Sequence, residues 1–488
     1  MTVARPDLPA GSHDPVSAES ASPAARLQAA LDEQRAAFAR QPNPTAAERD
    51  RWLATLLSVV LDHKQRFVEA ISADFGNRSA HETLGAEVMV TAAGIRYLRQ
   101  HLKEWMAVEP RHISLLFAPA RGEVRYQPKG VIGVISPWNY PLQLALVPVA
   151  TALAAGNRVL LKPSELSPAT SALMQELLHA AFPRDLVQVV TGGPDVGAAF
   201  AGLKLDHLMY TGSTHVGRLV MLAAAQNLVP VTLELGGKSP AIVHPDAPFK
   251  VAVERVAFGK VLNAGQTCVA PDYALVPRAM EARFVDALAA RFAEMLPTLA
   301  TNRDYTSIIN ERHRARVAGL VEDARAKGAR VREVNPASED LTGSGKVAPT
   351  ILQGVSDDME VMHEEIFGPV LPVVPYDTLD DAIAYVNARP RPLALYYFDT
   401  NAGRVDKVMS ATHSGGACVN DVALHVGQDD LPFGGIGPSG LGAYHGREGF
   451  LAFSHAKSVF HQRRLRLTQL FNPPYGATID AILKVLVG

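Results

Sequence analysis

The chain has 488 residues, with 47 Lys+Arg against 49 Asp+Glu, a formal net charge of -2 and 48% hydrophobic residues. That length exceeds one ordinary core and predicts two or three domains, while the balanced charge carries no electrostatic footprint for nucleic acid or an anionic membrane. Two cysteines cannot build a disulfide framework, which fits a reducing, cytoplasmic setting.

Residues 1–22 are rich in Pro, Ser and Ala, lack the apolar core of a signal peptide and are expected to be poorly ordered. Helical periodicity then runs to about residue 106, with Thr45 and Glu48 forming a capping box ahead of RWLATLLSVVLDHKQRFVEAI. The pattern changes at GEVRYQPKGVIGVIS, where short strands and turn residues begin. LQLALVPVATALAAG is the longest apolar stretch. It contains Pro148 and is too short to cross a bilayer, so no membrane span is expected. From there VIGVIS, NRVLLK, LVQVVTGG, HLMYTGS and VTLELGG predict strands, and TSALMQELLHAAF predicts a helix. Strand–helix alternation at this spacing means βαβ units and a mostly parallel sheet, an α/β fold. A second α/β stretch follows over roughly 235–425, with MEARFVDALAARFAEML as one of its helices.

Ligands in such sheets sit at the carboxyl ends of the strands, so the loops there carry the candidate chemistry. In TGSTHVGRLVMLAAAQ, Ser213 or Thr214 can cap a helix whose inward face is predicted as Val216, Leu219, Val220 and Ala223. Gly212 lets backbone approach a ligand, and free N–H groups at a helix start suit a phosphate. A structural strand–helix turn accounts for the same residues. Lys162 and Glu165, in KPSE, can meet ribose hydroxyls or phosphate, or form an exposed charge pair. Asn139, in SPWNY, can donate to a developing oxyanion or serve as a turn residue. Glu234, in ELGGKSP, is a general base if its cleft is apolar, and a surface carboxylate otherwise. Cys268, in GKVLNAGQTCVAP, acts as a nucleophile only if its surroundings lower the thiol pKa. Cys418, in GGACVN, has no such setting and reads as structural. No Cys/His spacing fits a metal site. Each feature alone favours the plainer reading. Together they supply a nucleophile, a base, an oxyanion donor and a phosphate loop, the kit for covalent oxidation of a carbonyl.

These motifs resemble the aldehyde dehydrogenase family. LELGGKSP is similar to its general-base motif and FGKVLNAGQTCVAP to its cysteine motif; SPWNYP, LLKPSE, YTGSTHVG, EEIFGPV and LPFGGIGPSGLGAYHGREGF follow in family order. KPSELS, GQTCVAPDY, GAYHGREGF and the PPYG tail resemble its class 3 and fatty-aldehyde branch, and QDDLPFGGIGPSG with YHGREGFLAFSHAK resembles its coniferyl aldehyde group. The resemblance implies a Rossmann-type cofactor domain, an α/β catalytic domain and a small bridging β-element for oligomerisation. On this sequence they would fall at 23–234 (with bridging strands near 110–130), at 235–425, and at 426–488 for the return to the cofactor domain and the oligomerisation segment.

The resemblance also implies roles. Cys268 attacks the aldehyde, Asn139 and the Cys268 N–H hold the oxyanion, and Glu234 activates the water that hydrolyses the thioester. Lys162 and Glu165 meet the adenosine ribose, Gly212, Ser213 and Gly217 the pyrophosphate, and Glu365 the nicotinamide ribose with Phe367 beside it. Trp138 and Leu235 belong to the same cofactor site, and Tyr140, Phe433 and His445 line the substrate tunnel. A carboxylate at Glu165 favours a free 2′-hydroxyl, hence NAD preferred with NADP a possible second cofactor. The implied substrate is coniferyl or another aromatic aldehyde, with a long-chain fatty aldehyde as the alternative. The implied assembly is a homodimer, in which HQRRLR (461–466) lies at the interface or forms a solvated patch.

Three rivals are weaker. A CoA-acylating enzyme has no need of Glu234. A cysteine hydrolase needs a histidine on Cys268, for which no motif stands out. A non-catalytic protein on this fold leaves the intact Cys268, Glu234 and Asn139 unexplained.

Overall fold

The computed structural model describes residues 22–464 and 467–488; the stretch expected to lack order lies outside it up to residue 21, as do Leu465 and Arg466 of the basic cluster. Ser22 caps the first helix, Pro23–Arg40. Thr45 and Glu48 form the reciprocal capping box that starts Ala46–Asp62. Helices Lys64–Phe75 and Val90–Trp105 follow, separated by a short helix and a π-helical turn, Leu84–Met89. Such a wide turn is uncommon and tends to mark functional sites.

The five runs read as strands form one six-stranded sheet. Its order is Gly440–Leu441, Val231–Glu234, His207–Thr211, Val131–Ile135, Arg158–Lys162, Val187–Val189, parallel throughout except for the Gly440–Leu441 edge. The chain leaves Val131–Ile135 toward one edge and returns to its other side at His207–Thr211. The switch point therefore opens a cleft beyond the carboxyl ends of these two strands, where loops 136–139 and 212–215 emerge.

A second, seven-stranded sheet runs Arg330–Glu333, Thr350–Gln353, Val370–Tyr376, Tyr273–Pro277, Pro240–Val243, Ala394–Phe398, Gly416–Val419. Only residues 235–239 separate the end of Val231–Glu234 from the start of Pro240–Val243. The carboxyl end of one sheet thus faces the amino end of the other, and the ELGGKS segment lies between them. A third, antiparallel sheet of Glu109–Arg111, Arg121–Pro128 and Ser454–His461 stands apart from both.

The inward face of the Thr214–Ala225 helix differs from the one expected. Gly217, Val220 and Ala224 are buried, whereas Val216 and Leu219 are 41% and 53% exposed. Glycine set the register: the helix approaches the sheet most closely where Gly217 has no side chain, with Leu235 pressed against it. Among the described residues no helix is long and apolar enough to cross a membrane.

Candidate active site

The two large sheets enclose a cavity of about 470 Å³, lined among others by Trp138, Asn139, Gly212, Ser213, Leu235, Cys268, Glu365 and Phe367. These eight residues, scattered over 230 positions of sequence, were all predicted to share one site, and the structure brings them together. The loop that carries Cys268 is wound tightly. Asn263 and Ala264 take left-handed backbone at φ 50° and 51°, followed by Gly265 at 73°. A Cβ on Gly265 would stand 2.3 Å from the Gly368 carbonyl oxygen, so only glycine fits. Side chains lock the winding. Gln266 Nε2 donates to the Asn263 and Ser307 carbonyls at 3.0 Å each, and its oxygen accepts from Ile309 N at 2.9 Å. Strain held this way by surrounding bonds is characteristic of functional loops.

Asn139 leaves the sheet just beyond Val131–Ile135. Its Nδ2 donates to the Gln266 carbonyl at 3.2 Å, next door to Cys268. An amide nitrogen has two hydrogens, so one remains for the cavity. Tyr140, buried, hydrogen-bonds Thr267 Oγ1 at 2.8 Å. Glu234 is buried at the end of its strand, and neither carboxyl oxygen has a hydrogen-bond partner among the described residues. Burial without partners pushes its pKa well above the usual carboxylate range. Glu365 is raised to about 8, first by burial and then by Asp272, and its Oε1 also lacks a partner.

The expectation that the surroundings lower the Cys268 pKa is corrected. Burial raises it, and the carboxyls of Glu365 and Glu234 raise it further; the Cys268 and Val269 backbone N–H groups oppose this weakly. Burial thus favours the neutral forms of the thiol and of both carboxyls, and Glu234 can accept a proton only once it has ionised.

Cys418 has a neighbour that the sequence did not show. Its Sγ lies 3.1 Å from His425 Nδ1. The sequence hid the pair because the turn containing Asn420 and Ala423, both at positive φ, folds the two residues together. The pair is nevertheless uncharged, since burial lowers His425 to about 4 and raises Cys418.

Gly217 packs under the cavity, not in its wall. Lys162 and Glu165 are not in this wall either; they pair with each other at 2.6 Å beyond the adjacent strand, Glu165 part-exposed. Phe433 and His445 are buried against each other, ring centroids 5.2 Å apart, with Tyr444 4.5 Å from His445. His313 and Arg316 line the cavity and had no sequence signal. Arg316 donates to the Glu365 and Ile366 carbonyls and so fixes the EEIFGP loop. The His313 ring packs against Trp138, tilted by 52° with centroids 5.1 Å apart.

The cavity fits a dinucleotide. The Thr214–Ala225 helix begins in its wall, with Ser213 capping it through Val216 N, which suits a pyrophosphate. The unpartnered Glu365 oxygen suits a ribose hydroxyl. Among the described residues no cluster of His, Cys, Asp and Glu could hold a metal ion.

A covalent nucleophile, a buried base and a dinucleotide cleft between two α/β sheets define an oxidoreductase that handles carbonyl substrates. The family model described as "Aldehyde dehydrogenase family" matches residues 8–459, and the chain belongs to that family, whose members oxidise aldehydes with NAD(P). A probable coniferyl aldehyde dehydrogenase of Pseudomonas aeruginosa is 53% identical over 94% of this chain and 95% of the relative. A coniferyl aldehyde dehydrogenase of a Pseudomonas species is 47% identical over 95% and 97%. Among solved structures, a substrate-bound AldH of Staphylococcus aureus superposes with a TM-score of 0.89 at 35% identity, covering 94% of this chain and 99% of that one.

Proposed function

We propose that the enzyme oxidises coniferyl aldehyde and related aromatic aldehydes to the corresponding acids, with NAD preferred over NADP. The observation that carries the mechanism is the meeting of Cys268, Asn139 and the start of the Thr214–Ala225 helix in one cavity, with the Glu234 carboxyl near enough to act on the thiol electrostatically. The Cys268 thiol first releases its proton to solvent; the resulting thiolate adds to the aldehyde carbon, and the oxygen gains a negative charge held by the Asn139 amide and the Cys268 N–H. Bound in the cavity, the oxidised nicotinamide supplies the hydride acceptor that takes the carbon to the acyl level. Glu234 then removes a proton from water, whose oxygen attacks the thioester carbon; the acid leaves and the thiol is restored.

In this reading Trp138, Leu235, Ser213, Gly212, Glu365 and Phe367 hold the cofactor. The six-stranded sheet belongs to a cofactor domain, the seven-stranded sheet to a catalytic domain and the small sheet to a bridging element. The Glu165 carboxylate would repel a 2′-phosphate, which supports NAD. Tyr140, Phe433 and His445 would line the substrate tunnel, an aromatic setting suited to a phenyl ring, and the names of the Pseudomonas relatives favour the coniferyl side chain. Two free cysteines support a cytoplasmic location.

The test is cofactor reduction with coniferyl aldehyde, benzaldehyde, hexanal and dodecanal, with Cys268→Ser alongside. Coniferyl aldehyde is expected to give the highest kcat/KM and Cys268→Ser no turnover. Preference for dodecanal would overturn the substrate assignment; full activity of the serine variant would overturn the mechanism.

A further inference from the structure

Beneath Asn139 lies a buried cation that none of the roles above uses. Arg78 follows the Lys64–Phe75 helix, and its side chain is fully enclosed. One nitrogen, Nη1, donates both to Glu87 Oε1 at 2.7 Å and to the Asn139 carbonyl oxygen at 2.9 Å. The guanidinium lies over the ring of Tyr140 at 4.7 Å and over Phe75 at 5.2 Å. Its Nε and Nη2 have no partner among the described residues. Burying a guanidinium and leaving two of its nitrogens unbonded is costly, and a merely space-filling role does not account for it.

The partners show what the group achieves. Glu87 sits in the π-helical turn, and its second oxygen accepts from Leu142 N at 2.7 Å and Gln143 N at 3.1 Å. The carboxylate thus ties Arg78 to the start of the Gln143–Ala154 helix, which begins four residues after Asn139. The Asn139 carbonyl receives a second bond, from Asn263 Nδ2 at 3.0 Å, out of the cysteine loop. Arg78 therefore fixes the peptide plane between Asn139 and Tyr140 from below while Asn263 fixes it from the side. It also presses on the face of Tyr140, whose hydroxyl is bound to Thr267.

We propose that Arg78 is a positioning residue for the oxidation. By holding the Asn139 carbonyl and the Tyr140 ring, it fixes the peptide plane between them and so sets the Asn139 amide where the oxyanion forms. A lysine ammonium could bond both acceptors from its one nitrogen, but it lacks the planar face that the guanidinium lays across the Tyr140 and Phe75 rings. The inference rests on Asn139 being the oxyanion donor.

The experiment compares Arg78→Met, Arg78→Lys, Asn139→Ala and the double variants carrying Asn139→Ala with each Arg78 change. Rapid mixing with saturating NAD and benzaldehyde reads the first-turnover rate of NADH formation; steady-state KM for NAD and melting temperature are read in parallel. Asn139→Ala is expected to slow the first turnover by roughly 100-fold, the scale of losing one oxyanion donor. Arg78→Met should lose about 10-fold or more through misplacement, and Arg78→Lys should recover part of that, with the KM for NAD unchanged. Because Arg78 acts through Asn139, the double variants should be no slower than Asn139→Ala alone. A lower melting temperature with an unaltered first turnover, or losses that multiply in the double variants, overturns the proposal. If Asn139→Ala turns over at the full rate, the oxyanion assignment itself falls and takes the proposal with it. Should Arg78→Met not fold, Arg78→Lys and its double variant supply the same comparison.

Discussion

Glu234 shows how one buried residue sets both reactivity and stability. Its carboxyl has no hydrogen-bond partner among the described residues, and burial raises its pKa, so the folded state prefers it protonated. An unfolded glutamate titrates near pH 4.3, and the folded one does so well above that. Below about pH 4.3 both states are protonated and the residue is neutral to stability. As pH rises from there toward the folded value, the unfolded state releases its proton first and the fold loses stability. Glu234→Gln removes that penalty. The variant should therefore match the parent in urea midpoint near pH 4 and exceed it increasingly through pH 7 to 8. It should also form about one equivalent of NADH rapidly and then lose about 100-fold or more in steady turnover, because the acyl group on Cys268 lacks its base. A steady rate equal to the parent's would assign the base elsewhere, and a urea midpoint gap that does not grow with pH would contradict the unpaired carboxyl.

Elements, rather than single side chains, decide which parts of the site were legible in the sequence. The strands Val131–Ile135, His207–Thr211 and Val231–Glu234 are short apolar runs ending at turn residues, and their ends carry Asn139, Gly212 and Glu234 in contiguous motifs. Chemistry written at a strand end is visible because position and residue type coincide. The Cys418–His425 pair, Arg316 and Arg78 were invisible because their partners come from other elements. The thiol pKa was misjudged for the same reason, since burial and two distant carboxyls set it. The winding of the Leu262–Gly265 turn illustrates an intermediate case: NAGQTC shows the glycine but not the contact that requires it. Gly265→Ala must place a side chain at φ 73° and 2.3 Å from a backbone oxygen that cannot step aside. The left-handed backbone costs about 1–2 kcal/mol and the overlap about 1–3 more. The variant should melt lower and turn over at least about 10-fold more slowly, while NAD binding, measured by quenching of tryptophan fluorescence, persists. Parent-like activity would mean that the turn does not position Cys268.

At the scale of the whole molecule, two sheet edges and one helix face are left open in a way that a second copy would close. Gly416–Val419 ends the seven-stranded sheet, and Ser454–His461 ends the small sheet, each with no further strand among the described residues. Long open edges invite pairing with another chain unless charge or proline blocks them. Neither segment contains proline, only Ser454–His461 carries a lysine, Lys457, and Val419 and Phe460 are 41% and 50% exposed. The Thr214–Ala225 helix adds Leu219, Met221 and Leu222 to the open apolar surface, at 53%, 46% and 66% exposure. Such a patch is the kind that an isologous pairing of two copies would cover, and the same pairing could close the open edges. The expected species is a homodimer, sedimenting at twice the 52.3 kDa chain mass at micromolar concentration. Leu219→Asp with Leu222→Asp places four charges across the symmetric contact and should shift the protein to monomer with its circular dichroism unchanged. A parent protein that sediments as a monomer, or a double variant that stays dimeric, would show that the helix face is not the contact.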